Sequence, residues 1–89
     1  MRILGQLRKL LSNKVIVISD PFSYGSYWAY IFGGDSGFER RLFRSQSEAI
    51  NHQTEARLGL SLAAAFVSLK YISVEQARAF ESAKETWCE

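Results

Sequence analysis

The stretch GSYWAYIFGGDSGFERRLFR, residues 25–44, has the pattern of a β-hairpin and decides the predicted fold. Aromatic side chains crowd residues 27–32, as is typical of a strand, and residues 38–44 return after a glycine-rich gap. The glycines of residues 33–37 accept the positive φ that tight hairpin turns require. The sequence therefore predicts two antiparallel strands with alternating side chains, so that each face of the pair mixes rings with charge.

The segments before the hairpin predict a helix and one more strand. Leucine and isoleucine side chains recur at helical spacing between basic residues, which predicts a short amphipathic helix over residues 2–12. The β-branched run KVIVIS, residues 14–19, predicts a strand. Because proline cannot donate to a strand ladder, Asp20 and Pro21 should end that strand.

Two serine caps predict helices after the hairpin. SQSE, residues 45–48, has the capping-box pattern and predicts a long helix over residues 46–70. SVEQ, residues 73–76, repeats the pattern and predicts a final helix over residues 74–86. The short connection between these helices should hold them in an antiparallel hairpin or at an angled corner.

These elements predict a single α+β domain over residues 1–89, in the order α-β-β-β-α-α. The expected architecture has two layers, with helices packed on one side of a small three-stranded antiparallel sheet. A chain of 89 residues has a modest core, so single buried side chains should matter for its stability.

The composition favours a protein of the cytoplasm. The one cysteine, Cys88, cannot form a disulfide within the chain, so nothing requires an oxidising compartment. No window has the apolar length of a signal peptide core or a membrane span, and no membrane partner is expected. Residues 1–44 hold seven basic and three acidic side chains, so this half is the one suited to an anionic partner.

Side chains that carry catalysis are few, and the sequence predicts a protein without enzymatic activity. His52 is the only histidine, so one chain cannot form a metal site with two imidazoles. Cys88 lacks a neighbouring base that would activate a nucleophile. Glu48 and Glu55 share a predicted helix face and are interpreted as a solvated stripe, and residues 33–37 lack the Lys-Ser/Thr pair of a phosphate-binding loop. We therefore expect no cofactor and no metal.

A cluster of aromatic and arginine side chains on the hairpin is the candidate binding site. Arginine, tyrosine and tryptophan are the residues most enriched at protein–protein hot spots. Arginines beside stacking rings also suit nucleic acid, and a third interpretation is an edge strand whose charge prevents aggregation. The candidate contact residues are Tyr27, Trp28, Tyr30, Arg40, Arg41 and Arg44.

Two resemblances bear on these residues. YWAYIFGGDSGFERRLFRSQSEA, residues 27–49, resembles the arm-type DNA-binding domains of tyrosine recombinases: an aromatic strand, a glycine turn, a basic strand and a Ser-capped helix. That likeness implies a sheet that enters the major groove, with Arg40, Arg41 and Arg44 in the contacting roles. In size and type the chain is also similar to phage-encoded inhibitors such as anti-CRISPR proteins, which occupy a surface of a larger complex.

The leading hypothesis is a non-catalytic binding protein that engages a larger protein or protein complex through the hairpin. Alanine at Arg40 and Arg41 should then abolish capture of the partner and leave thermal stability nearly unchanged. The alternative is nucleic-acid binding by the same residues, with an affinity that falls steeply with salt. A homo-oligomer that uses Trp87 and the predicted final helix as its seam is a third hypothesis.

Overall fold

Six strands and two helices form the part of the chain that the computed structural model describes, residues 14–34, 37–62 and 67–88. The predicted helix over residues 2–12 lies outside the described residues. In chain order the elements are β1 (Lys14–Ser19), β2 (Phe22–Tyr24), β3 (Tyr27–Gly34), β4 (Gly37–Phe43), α1 (Gln46–Leu62), β5 (Val67–Ile72), α2 (Val74–Arg78) and β6 (Lys84–Trp87).

The predicted hairpin is confirmed, and it forms the centre of the sheet. β3 and β4 pair antiparallel from Trp28 opposite Phe43 to Gly34 opposite Gly37. β1 and β2 both pair antiparallel with the other side of β3. The predicted strand over residues 14–19 is therefore also confirmed. It ends before Pro21, and β2 then pairs with β3 further along the same side.

The predicted three-stranded antiparallel sheet is wrong, because two further strands extend it in parallel. The order is β5-β1-β3-β4-β6, with β2 paired to β3, which makes a six-stranded mixed sheet over the described residues. β5 runs parallel to β1, and β6 runs parallel to β4. Parallel neighbours need a long connection instead of a tight turn, and α1 lies within both connections, between β1 and β5 and between β4 and β6.

Both edge strands come from segments for which the sequence predicts helix. α1 ends at Leu62, so the predicted helix over residues 46–70 is too long, and the run VSLKYI is β5. The final helix is too long as well: α2 ends at Arg78 and the run KETW is β6. The predicted order α-β-β-β-α-α is therefore wrong, and Trp87, which the homo-oligomer hypothesis places beside a helix, lies on the strand β6.

The two-layer arrangement is also wrong, because one helix packs on each face of the sheet. On β3, Ala29 and Ile31 belong to a buried cluster with Ala77 of α2, whereas Tyr30 belongs to a second cluster with Ala49 of α1. Alternating side chains point to opposite faces of a strand, so the two clusters are the two sides of the sheet. The buried side chains of β3 therefore pack against a helix on either face of the sheet.

Both predicted caps are confirmed as helix starts. Ser45 accepts a hydrogen bond from the backbone N–H of Glu48 at the start of α1 (3.3 Å). At α2 the box is complete, since Ser73 accepts from the backbone N–H of Gln76 and the Gln76 side chain accepts from the Ser73 backbone. Neither helix of the described part has the length and apolar character that a membrane crossing demands.

Candidate functional site

Arg40, a predicted contact residue, lies on the α2 side of the sheet and is 6% exposed. Its guanidinium donates to the backbone carbonyl of Phe80 and to Glu85 Oε1, the latter at 3.3 Å. It also lies over the ring of Tyr24, 4.7 Å from the centroid. Arg40 therefore connects β4 to β2, to β6 and to the segment after α2, and it is not available to a partner.

Glu85 receives a second donor, which strengthens this connection. The Tyr24 hydroxyl donates to Glu85 Oε1 at 2.9 Å, and that hydrogen bond is the main reason that the pKa of Tyr24 is raised above its ordinary value. One carboxylate oxygen thus joins an arginine of β4, a tyrosine of β2 and its own strand β6. This arrangement holds the short edge strand β6 in register.

Arg41 and Tyr30, two more predicted contact residues, meet on the opposite face. Arg41 Nη1 donates to the Tyr30 hydroxyl at 2.9 Å, and Arg41 Nε donates to Glu39. The Tyr30 hydroxyl also lies 2.7 Å from His52 Nδ1. A guanidinium can only donate, so the phenol accepts from Arg41 and directs its own proton to Nδ1 of His52.

This hydrogen-bonded chain joins β4, β3 and α1 beneath the surface. Tyr30 is fully buried, and burial is the main reason that its pKa is raised above the ordinary value, although the hydrogen bond from Arg41 acts in the opposite direction. The sequence indicates only part of this buried hydrogen-bonded arrangement. Alternation places Arg40 and Arg41 on opposite faces, but it does not show that both faces are covered.

The raised pKa of Tyr30 predicts a loss of stability in alkali. A folded state that holds the phenol proton more tightly is stabilised below the ordinary pKa of 10.0, and this contribution is lost as pH rises through the raised value. Tyr30→Phe should therefore flatten the decline of the free energy of unfolding above about pH 10. At neutral pH it should cost about 1–2 kcal/mol, because Arg41 and His52 lose a hydrogen-bond partner.

Urea denaturation across this pH range measures both effects. Tyr71→Phe is the matched control, since Tyr71 is an exposed tyrosine on the edge strand β5, away from the central strand that carries Tyr30. Its pH profile should follow that of the wild-type chain. A Tyr30→Phe profile as steep as the wild-type one would show that the phenol contributes nothing in alkali.

The other three predicted contact residues remain at or near the surface. Tyr27 is 43% exposed, Arg44 is exposed directly after β4, and Trp28 is partly buried against the α1 cluster. Tyr27 meets Trp87 of β6 edge to face, with ring centroids 4.8 Å apart and planes at 90°. Trp87 is 51% exposed. Sequence reasoning left Trp87 out of the site because it was expected on a helix.

A groove begins beside Trp87 and runs toward α1. Its first part, the Trp87 hollow, has a volume of about 370 Å³ and is lined by Arg44, Glu48, Trp87 and Cys88. Its second part, the His52 hollow, has a volume of about 270 Å³ and is lined by Phe43, Glu48, Asn51, His52, Glu55 and Cys88. Glu48 and Cys88 line both hollows, so the two parts adjoin.

Cys88 lies in this groove in surroundings that favour its neutral thiol. Burial raises the pKa of its thiol above the ordinary value, and the nearby Arg41 only partly offsets this. The thiol therefore keeps its proton at neutral pH. Within the described ranges no group of three or more His, Cys, Asp or Glu side chains could hold a metal ion.

Comparison with family models, curated proteins and solved structures gives no match for this chain. Its function must therefore be inferred from its own surface. Large apolar side chains are exposed at several described positions, which are Val15, Tyr27, Ile50, Leu58, Tyr71 and Trp87. Tyr27 and Trp87 are in ring contact, and Trp87 lines a hollow together with Arg44.

Proposed function

We propose that this chain is a non-catalytic protein that binds a larger protein through a surface formed by Tyr27, Trp87 and Arg44, here called the ring surface. The observation that carries the proposal is the pair of perpendicular rings, each about half exposed, at the end of the groove. A large aromatic side chain left half exposed forgoes much of its favourable burial. A partner that covers both rings would recover it.

Residue type and rigidity support a protein partner. Tryptophan, tyrosine and arginine are the side chains that most often supply binding energy at protein interfaces. Tyr27 and Trp87 begin and end strands of one sheet, and their mutual contact limits their freedom before binding. Pre-organised side chains lose less entropy on association, which favours affinity.

The proposal keeps only part of the predicted contact surface. Tyr30, Arg40 and Arg41 are committed to contacts within the sheet and its covering layers. Tyr27 and Arg44 remain as contacts, and the partly buried Trp28 stays a predicted one. For nucleic acid, this leaves Arg44 alone of the three hairpin arginines, in a hollow that it shares with Glu48. Phosphate binding is therefore the weaker alternative.

Absence of catalysis and a cytoplasmic setting are parts of the same proposal. The protonated thiol of Cys88 argues against covalent catalysis at neutral pH. A chain whose one cysteine is free has no need of an oxidising compartment.

Trp87→Ala should remove partner capture while the fold survives. Proteins that the wild-type chain retains from a lysate of its native host should be lost, and affinity for a purified partner should fall at least about tenfold. Tyr71→Ala is the matched control, because Tyr71 is 49% exposed but lies on the opposite edge of the sheet. Thermal melting checks that both variants are folded.

Two outcomes would contradict the proposal. One is a partner that Trp87→Ala and Tyr27→Ala retain as well as the wild-type chain does. The other is capture that disappears after nuclease treatment and falls steeply with salt, which would assign the surface to nucleic acid.

A further inference from the structure

The His52 hollow adjoins the ring surface but differs from it in charge. The carboxylates of Glu48 and Glu55 line it, and no lysine or arginine is among the described residues that do so. Its remaining lining is one amide, one thiol and the rings of Phe43 and His52. Arg41 lies near Cys88 but is paired with Glu39, so the charged groups that line the hollow itself are the two carboxylates. The hollow is therefore suited to a cation that also carries apolar surface.

The two carboxylates bracket the hollow. Glu48, Asn51, His52 and Glu55 follow one face of α1 at intervals of three and four residues. Seven residues of helix separate the two glutamates by about 10 Å along the axis. A cation that enters between them is within reach of a carboxylate on either side.

The rings provide an apolar wall in a fixed orientation. Phe43 is buried beneath the hollow, and its centroid lies 5.0 Å from that of His52, with the rings tilted by 55°. The hydroxyl of Tyr30 holds Nδ1 of His52, so the imidazole cannot turn freely. A flat guanidinium can stack on the partly buried His52 ring, which Phe43 supports from beneath, while its N–H groups reach carboxylate oxygens. An ammonium does not offer this combination equally well.

We propose that the His52 hollow binds the guanidinium of an arginine in the partner protein. This inference rests on the proposed function, since it places one partner side chain in the hollow while neighbouring ones cover the ring surface. The adjoining hollows give the groove a polarity, with Arg44 in the Trp87 hollow, Glu48 where the two hollows meet and Glu55 in the His52 hollow. Charge complementarity therefore orients the partner segment, with its arginine over α1.

The test is an NMR titration of the full chain with N-acetyl-arginine amide, at constant pH and ionic strength. The His52 ring and the Asn51 side-chain amide should shift and saturate, with a Kd on the order of 1–10 mM, as is reasonable for one isolated side chain. N-acetyl-citrulline amide, of nearly the same shape but neutral, should give no saturable shift. Glu48→Gln combined with Glu55→Gln should weaken binding at least about fivefold.

Glu75→Gln combined with Glu81→Gln is the matched control, because both glutamates are exposed and lie outside the groove. It should bind arginine amide as the wild-type chain does. Equal binding of citrulline amide, no saturable shift, or full affinity in the Glu48/Glu55 variant would each overturn the proposal. The titration needs no partner. If arginine amide does not bind but Trp87-dependent capture is intact, this inference alone is refuted. Saturable arginine binding without such capture refutes the proposed function.

Discussion

Replacing Arg40 with alanine is expected to lower the free energy of unfolding by about 3 kcal/mol. The guanidinium donates to Phe80 and Glu85, lies over Tyr24, and is almost fully buried. Alanine removes these contacts, leaves the Phe80 carbonyl without its donor, and empties the space that the arginine stem fills. The half-exposed Glu85 can turn to water, so it adds little to the cost.

Thermal and urea denaturation measure this effect, and Arg44→Ala is the control. Arg44 lies one residue beyond the same strand and is exposed, so its loss should change stability by less than about 0.5 kcal/mol. For a chain of this size, 3 kcal/mol corresponds to a fall in Tm on the order of 15 °C. If the Arg40 and Arg44 variants melted together, the buried guanidinium would contribute no net stability.

This prediction reverses the sequence-based one, in which alanine at Arg40 and Arg41 leaves stability nearly unchanged. The hairpin residues themselves predict a ribbon with rings and charge on both faces. What they cannot predict is that β6 pairs with β4 and brings Glu85 next to Arg40. That pairing joins residues 45 positions apart in the chain. Patterns among neighbouring residues do not predict contacts between residues so far apart in the chain.

The strands that the sequence missed share one physical cause. β5 and β6 are parallel edge strands, and they gain their backbone partners from β1 and β4, far away in the chain. VSLKYI alternates apolar and polar side chains from Val67 to Tyr71, which is a strand pattern, whereas KETW shows no such alternation. Each segment follows a correctly predicted helix start, and the predicted helices extend into both. Pairing with a distant strand decides that both segments are strands. The antiparallel hairpin, in contrast, is encoded by neighbouring residues.

The candidate site likewise contains residues that the sequence could predict and residues that depend on a distant strand pairing. Tyr27 and Arg44 could be predicted from the hairpin, because both lie at its open end. Trp87 could not, since its position beside Tyr27 depends on the parallel register in which Leu42 pairs with Trp87. The groove also depends on that register, because Trp87 and Cys88 form one of its walls opposite α1.

The glycines of the hairpin turn show how a correct prediction can have a different cause. The sequence predicts positive φ in residues 33–37, and among the described glycines Gly25 and Gly37 have it, with φ of 61° and 115°. Gly33 does not. It is instead required for space, since a Cβ there would lie 2.6 Å from the Gly37 carbonyl oxygen, from Phe38 Cα and from the Phe38 ring.

Gly33→Ala is therefore expected to cost about 3 kcal/mol or more, and Gly59→Ala to stabilise the chain by about 0.5–1 kcal/mol. Two of the three atoms that meet the new methyl group at Gly33 belong to the β4 backbone, so relief requires the paired strands to separate. The Phe38 ring would also move from its packing against Phe80, where the ring centroids are 4.6 Å apart.

Gly59 provides the opposite case with the same substitution. It lies within α1, and a Cβ there meets nothing within 4 Å, so alanine gains helix propensity without a clash. Urea denaturation of the two variants should displace the unfolding midpoint in opposite directions. A Gly33→Ala chain as stable as the wild-type protein would mean that β3 and β4 have room for a methyl group at the turn. A loss of stability at Gly59 would mean that α1 does not run exposed through this position, and hence that the face of α1 next to the groove needs revision.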